Sequence, residues 1–156
     1  MVIGLEQYLA DILDNISYES TQQLAGGDFK IYVDKAKLKS ILHSLKENPE
    51  YSFDMLLSIV AMDNGEFFEL SYLLYSSALN EKLVVAVQIS RIDSIIETVS
   101  DLYKSANWDE REIFDLFGIT FTFHPNMKRL LMPKDWIGYP LRKDYELNDE
   151  RLAWNK

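Results

Sequence analysis

The chain has 156 residues, enough for one domain that buries about two thirds of its unfolded surface. Its 47% hydrophobic and 26% charged content excludes a largely disordered protein, and the absence of cysteine excludes disulfides, thiolate-held iron–sulfur clusters and thiol nucleophiles on this chain. The net charge of −9 is uneven, with 9 basic against 20 acidic residues in 1–123 and 7 against 5 in 124–156, and an acidic body argues against nucleic-acid binding. These halves set the expected division into an α+β domain over 1–123 and an extended, partner-docking tail over 124–156. The longest apolar runs, such as 55–57 and 83–87, fall far short of the roughly eighteen residues of a membrane span. The first residues lack the basic flank and cleavage site of a secretory leader, so none is expected.

In chain order, Ile3, Leu5, Leu9, Ile12 and Leu13 recur at helical spacing and predict an amphipathic helix over 2–13. Residues 18–24 and 29–33 flank Ala25-Gly26-Gly27-Asp28 and predict a hairpin. Asp34 is the expected N-cap of a helix through Lys46, with Leu38, Ile41, Leu42 and Leu45 inward. Three strands follow over 52–62, 67–76 and 82–91, turned by Asp63-Asn64-Gly65-Glu66 and by Asn80-Glu81 into an antiparallel meander. Asp93 or Ser94 is the expected cap of a further helix carrying Ile95, Ile96, Val99, Leu102 and Tyr103. The fold class is α+β: a two-layer sandwich of a mainly antiparallel sheet with helices on one face, plus the extended tail.

Residues 107–145 are the unusual stretch. Asn107 and Glu110 have the spacing of a capping box, Gly118 that of a left-handed C-cap, and the helix between them carries four carboxylates and a guanidinium among large apolar residues. Arg111 and Asp115, four apart, are expected to pair. A catalytic pair drawn from Glu110, Glu112 and Asp115 would need a deep pocket beside this helix, yet neighbours on one helix do not flank a bond. A metal site is disfavoured by the cation between Glu110 and Glu112, and His124 has no histidine partner nearby. After a strand over 119–123, the segment from His124 is punctuated by Pro125, Pro133 and Pro140 and cannot continue as regular structure. It carries Leu130, Leu131, Met132, Trp136, Ile137, Tyr139 and Leu141, too much apolar surface for water, so it either folds back on its own sheet or is covered by another chain, and its residue types favour a partner.

WDEREIFDLFG from Trp108 to Gly118, His124-Pro125, RLLMP from Arg129 to Pro133, Asp135-Trp136, Gly138 and PLRKDY from Pro140 to Tyr145 together resemble the signature of the 30-kDa subunit of respiratory complex I and of its bacterial NADH:quinone oxidoreductase counterparts. Departures are Lys128 for an arginine, Tyr139 for a frequent histidine and Glu146 for a frequent proline. The resemblance implies a non-redox accessory and assembly subunit of the peripheral arm, with no catalytic centre and no bound cofactor, the iron–sulfur clusters and quinone lying in partner subunits. It implies docking on the quinone-site 49-kDa-type subunit and the neighbouring small iron–sulfur subunit, on the cytoplasmic side of the cell membrane and associated with it only through the complex. Related subunits serve membrane-bound energy-converting hydrogenases and ferredoxin- or F420H2-linked complexes, and no residue here names the electron donor. Carried over by position, the partner-binding set is Trp108, Glu110, Arg111, Glu112, Asp115, His124, Pro125, Arg129, Trp136, Pro140, Leu141, Arg142, Lys143, Asp144 and Tyr145, with Asn107, Gly118 and Gly138 structural.

Overall fold

A computed structural model describes Ile12 and residues 16–146. The expected helix over 2–13 lies outside those residues except for Ile12, which is buried in the core, and residues 147–156 of the tail lie outside them too. The predicted hairpin forms: β1 (Ser20–Gln23) and β2 (Phe29–Tyr32) pair antiparallel across a turn closed by Leu24 N–H donating to the Asp28 carbonyl at 2.8 Å.

Helix α1 (Leu38–Glu47) starts later than Asp34 would have it. The Asp34 carboxylate accepts from Ala36 N–H at 2.7 Å, so it closes a separate turn and leaves Lys37 at the N-cap without a side-chain bond. Leu38, Ile41, Leu42 and Leu45 form the stripe that buries this helix, each worth about 1.5–3 kcal/mol when fully removed from water.

The meander is β3 (Met55–Asp63), β4 (Phe67–Ser76) and β5 (Glu81–Ser90). The five-stranded sheet has the order β1-β2-β5-β4-β3, and only β2 and β5 run parallel, joined by a connection long enough to hold α1 and two strands. On the inner face Ile31, Phe68, Leu70, Tyr72, Leu74, Leu83, Val85 and Ile89 join one buried core with the apolar stripe of α1. The other face carries the Lys30–Glu69 ion pair and, along β3, the half-exposed Met55, Val60 and Met62.

The helix predicted from Asp93 or Ser94 is replaced by a strand, β6 (Ile95–Glu97), paired parallel with β7 (Thr120–Thr122). Ile95 and Glu97 are exposed and Ile96 is buried, an alternation of two; Ser94, the expected cap, instead donates its hydroxyl to the Ser90 and Arg91 carbonyls. β-Branched residues at 95, 96, 98 and 99 fit a strand once a partner is present, and that partner is supplied some 25 residues downstream. Between β6 and β7 runs helix α2 (Ala106–Phe117), whose Ile113 and Phe117 join the core with Ile96 and Phe121. The result is the expected two-layer α+β arrangement.

Candidate functional site

Helix α2 is fixed at both ends by contacts with other parts of the chain. Ser105 at its N-cap sends its hydroxyl to the Leu56 carbonyl (2.9 Å), and the Asp109 carboxylate accepts from Ile59 N–H (2.8 Å), so the helix seals this stretch of the β3 edge. The capping box expected of Asn107 and Glu110 does not form: the helix begins at Ala106, which puts Asn107 inside the first turn and leaves Glu110 facing inward. At the other end Gly118 is the left-handed C-cap (φ 72, ψ 25), donating to the Phe114 carbonyl at 2.9 Å. The Tyr139 ring occupies the space that a Cβ at Gly118 would need, so glycine is required there twice over.

The expected Arg111–Asp115 pair is also replaced. Asp115 turns toward the tail, and its Oδ2 accepts the N–H groups of Leu130, Leu131 and Met132 at 2.8, 2.6 and 2.9 Å while Oδ1 meets Arg129 at 2.7 Å. Burial alone would raise this carboxyl, but the Met132 amide, the Arg129 guanidinium and the other two amides outweigh it and hold it below its ordinary range. Arg129 also donates to the carbonyls of Asp115, Trp136 and Gly138, tying three parts of the segment to one cation. Arg111 stacks on Trp108 at 5.1 Å and donates to the Lys128 carbonyl.

Further along, Arg142 donates to the Phe117 carbonyl and lies over the rings of Phe68 and Tyr139, while Leu141 N–H bonds the Leu116 carbonyl at 3.0 Å. Gly138 has φ 86, and a Cβ there would meet the Tyr145 ring. Lys143 N–H donates to Asp63 Oδ2 at 2.9 Å, and Arg91 bridges Asp63 (3.1 Å) and Asp144 (2.7 Å). Burial works against the Asp63 carboxylate, but the amides of Lys143 and Gly65 and the charge of Arg91 outweigh it and lower its pKa. Residues 127–145 are therefore laid as a strap over α2 and the end of β3.

Glu110 lies wholly inside, accepting from Thr98 Oγ1 and from Val99 N–H at 2.8 Å. Burial pushes its carboxyl up to about 7 against those two bonds. The His124 side chain is equally buried, with Nδ1 accepting from Asn126 N–H (3.0 Å) and Nε2 placed to donate to the Asn107 carbonyl (3.1 Å).

These positions separate the three carboxylates once weighed as catalysts: Glu110 faces the residues after β6, Asp115 faces the strap and Glu112 faces solvent. The groove beside α2, of about 280 Å³, is lined by Asp109 and Glu112 but by neither Glu110 nor Asp115, so the three carboxylates weighed as a catalytic set do not meet in it. Among the described residues no group of three or more His, Cys, Asp or Glu could hold a metal ion. The large apolar side chains exposed here are Trp108, Phe123, Leu131, Ile137 (90% exposed) and Leu141; Glu112, Pro125, Lys128, Lys134, Asp135, Lys143 and Asp144 are exposed as well. Pro140, Trp136 and Tyr145 are half-buried in the strap. Sequence reasoning missed Arg91, Thr98 and Ser100 and gave Asp63 only a turn; the one signal for the first was an unpaired arginine closing an apolar strand opposite an Asp-containing turn.

A two-layer body whose strap holds apolar side chains outward is an α+β scaffold domain. The family model for the respiratory-chain NADH dehydrogenase 30 Kd subunit matches residues 31–151, and the chain belongs to that family. It is 41% identical to the C-type subunit of NADH-quinone oxidoreductase from Trichlorobacter lovleyi over 125 residues, 78% of this chain and 76% of that protein. Among solved structures it resembles the trypsin-resistant fragment (1-134) of Nqo5 (28% identity, TM-score 0.68, 78% of this chain and 98% of that one). It also resembles a chain of the membrane-bound sulfane sulfur reductase, an archaeal respiratory membrane complex (26% identity, TM-score 0.80, 96% and 88%). Like those proteins it is a subunit of a complex-I-type assembly, and no helix among its described residues is long and apolar enough to cross a membrane.

Proposed function

We propose that the chain is a non-redox assembly subunit of the peripheral arm, docked on the quinone-site 49-kDa-type subunit and the adjacent small iron–sulfur subunit, on the cytoplasmic side of the membrane. The observation that carries this reading is the strap: Arg129, Asp115 and Arg142 use their polar groups inside the chain and so fix Leu131, Ile137 and Leu141 outward, in a geometry that suits burial by a neighbour. In this reading Trp108, Glu112, Pro125, Lys143 and Asp144 meet the partners, while Arg111, Asp115, His124, Arg129, Trp136, Pro140, Arg142 and Tyr145 act from behind, by holding the shape of the segment from 124; Glu110 lies inside the body, bonded to Thr98 and Val99. The iron–sulfur clusters and quinone belong to the partners, and this chain supplies no cofactor ligand of its own. In this reading the chain divides into a body over 1–123 and a segment from 124 that docks while fastened to that body through Asp115 and Asp63.

The test is to isolate the tagged chain from solubilised membranes and identify what accompanies it. Recovery with a large quinone-site subunit and iron–sulfur proteins is expected, and Ile137→Asp with Leu141→Asp should cut that recovery at least tenfold without changing the chain's own unfolding. Recovery of the wild-type chain alone would overturn the reading. A second reading, an electron donor other than NADH, is favoured by the likeness to the sulfane sulfur reductase chain over 96% of this one. The input module found in the same isolation decides between an NADH, ferredoxin, F420H2 or hydrogenase partner.

A further inference from the structure

Glu110 is a buried carboxyl that the docking role does not use. Its Oε1 accepts from Val99 N–H, its Oε2 meets Thr98 Oγ1, and Thr98 Oγ1 lies 2.8 Å from Ser100 Oγ in a contact where either hydroxyl can donate. Thr98 and Ser100 line an open cleft of about 290 Å³ beside Lys39, Lys104 and Phe123, the last held at φ 63 with its ring 85% exposed. We propose that Glu110 is an internal proton-binding site, in exchange with solvent through the hydroxyls of Thr98 and Ser100, which open into the cleft beside Phe123.

The hydrogen bonds balance in both states. With Glu110 ionised, Thr98 donates to it and accepts from the Ser100 hydroxyl and from Ser100 N–H (3.1 Å). With Glu110 protonated, the acid donates to Thr98 Oγ1, Thr98 donates onward to Ser100, and the Ser100 hydroxyl turns to solvent. The Val99 amide keeps its acceptor throughout, so the proton moves without leaving a buried group unmatched.

Among the described residues the surroundings place no lysine or arginine at contact. From the segment after β7, His124 Nε2 is 3.8 Å away, with Nδ1 accepting from the Asn126 amide and Nε2 beside the Asn107 carbonyl. From β4 comes the Tyr72 hydroxyl, fully buried and without a hydrogen-bond partner among the described residues. Asp101, after β6, opposes the charge, and Lys39 of α1 favours it from a distance while bound to Glu97 and Asp101. A desolvated carboxylate with two hydrogen bonds and no lysine or arginine beside it takes up a proton near neutrality.

The test uses the full chain with carbon-13 in the glutamate side-chain carboxyls, titrated by NMR, and Glu110→Gln to assign the resonance. One carboxyl with a midpoint at about 7, lost in the variant, is expected, with the Val99 amide shifting over the same range in the wild type. The wild-type unfolding constant should climb by up to about tenfold per pH unit between the free and the folded midpoints, and Glu110→Gln should flatten that climb. Thr98→Val should raise the Glu110 midpoint and broaden its line by slowing exchange. A Glu110 carboxyl and a Val99 amide that both titrate in the ordinary carboxyl range, or do not titrate, would overturn the site. Unchanged midpoint and line width in Thr98→Val would overturn the relay. If Glu110→Gln fails to fold, the Val99 amide of the wild type still decides the first point.

Discussion

Glu110 and Asp115 stand five residues apart on one helix, both fully buried, and their environments drive them in opposite directions. Asp115 gathers three main-chain amides and a guanidinium, and its charge is stabilised; Glu110 has one amide and one hydroxyl, and burial raises it to about 7. Burial is common to both, so it is the number of donors and the presence of a cation that set the sign. One carboxylate fastens a distant segment to the helix. The other sits between ionised and neutral near physiological pH.

The largest test of that contrast is Asp115→Ala, which leaves Arg129 and three amides without their acceptor. It should cost about 3–5 kcal/mol in denaturant unfolding and expose the amides of 130–132 to hydrogen exchange. A loss below about 1 kcal/mol would mean that the strap adds nothing to the fold. Glu110→Gln should have the opposite sign and depend on pH. Its folded-state value lies above the unfolded one, so ionisation costs the native state nothing below about 4.5 and up to about 3 kcal/mol as pH rises past about 7. The variant should therefore match the wild type near pH 4 and exceed it near pH 8; equal stability at both would contradict the contrast.

Asp63→Asn comes next. It keeps an acceptor for Lys143 N–H but loses the charge facing Arg91, a change of about 1–2 kcal/mol, with faster exchange at the Lys143 amide as the readout. Asp63 and Asp115 are both depressed, so their contribution is present above the unfolded value of 3.8 and disappears as pH falls through their folded values. Acid should loosen the strap, visible as a change in Trp136 fluorescence. Glu112→Gln, on the exposed side of α2, should move stability by no more than about 0.5 kcal/mol.

Elements specified by neighbouring residues were legible in the sequence. The Gly26-Gly27 hairpin, the three-strand meander and the Gly118 cap each follow from turn chemistry within a few positions, and all three are present. Those settled by distant partners were not. Residues 95–103 satisfy a helical period, and only the pairing with β7 turns the first of them into a strand. Arg111 and Asp115 have ideal helical spacing, but Asp115 meets its donors 14 to 17 residues downstream, where three amides and Arg129 outcompete a single exposed guanidinium. The Asn107–Glu110 spacing matched a capping box, yet the apolar face of α2 carries Glu110 inward, where the donors it meets are in the residues after β6. The ordered motif from Trp108 to Tyr145 carried the family, because a string of that length seldom recurs by chance.

The clasp at Asp63 also has a mechanical side. Among the described residues it is the firm attachment nearest the C-terminal end, with Lys143 N–H and the Arg91–Asp144 bridge meeting at one carboxylate. A neighbour tugging on the chain beyond Tyr145 would load that carboxylate first, and through it the hairpin between β3 and β4. The tension would pass into strands bonded along their whole length, and the helix bearing Asp115 and Glu110 would feel it only after the corner had given way.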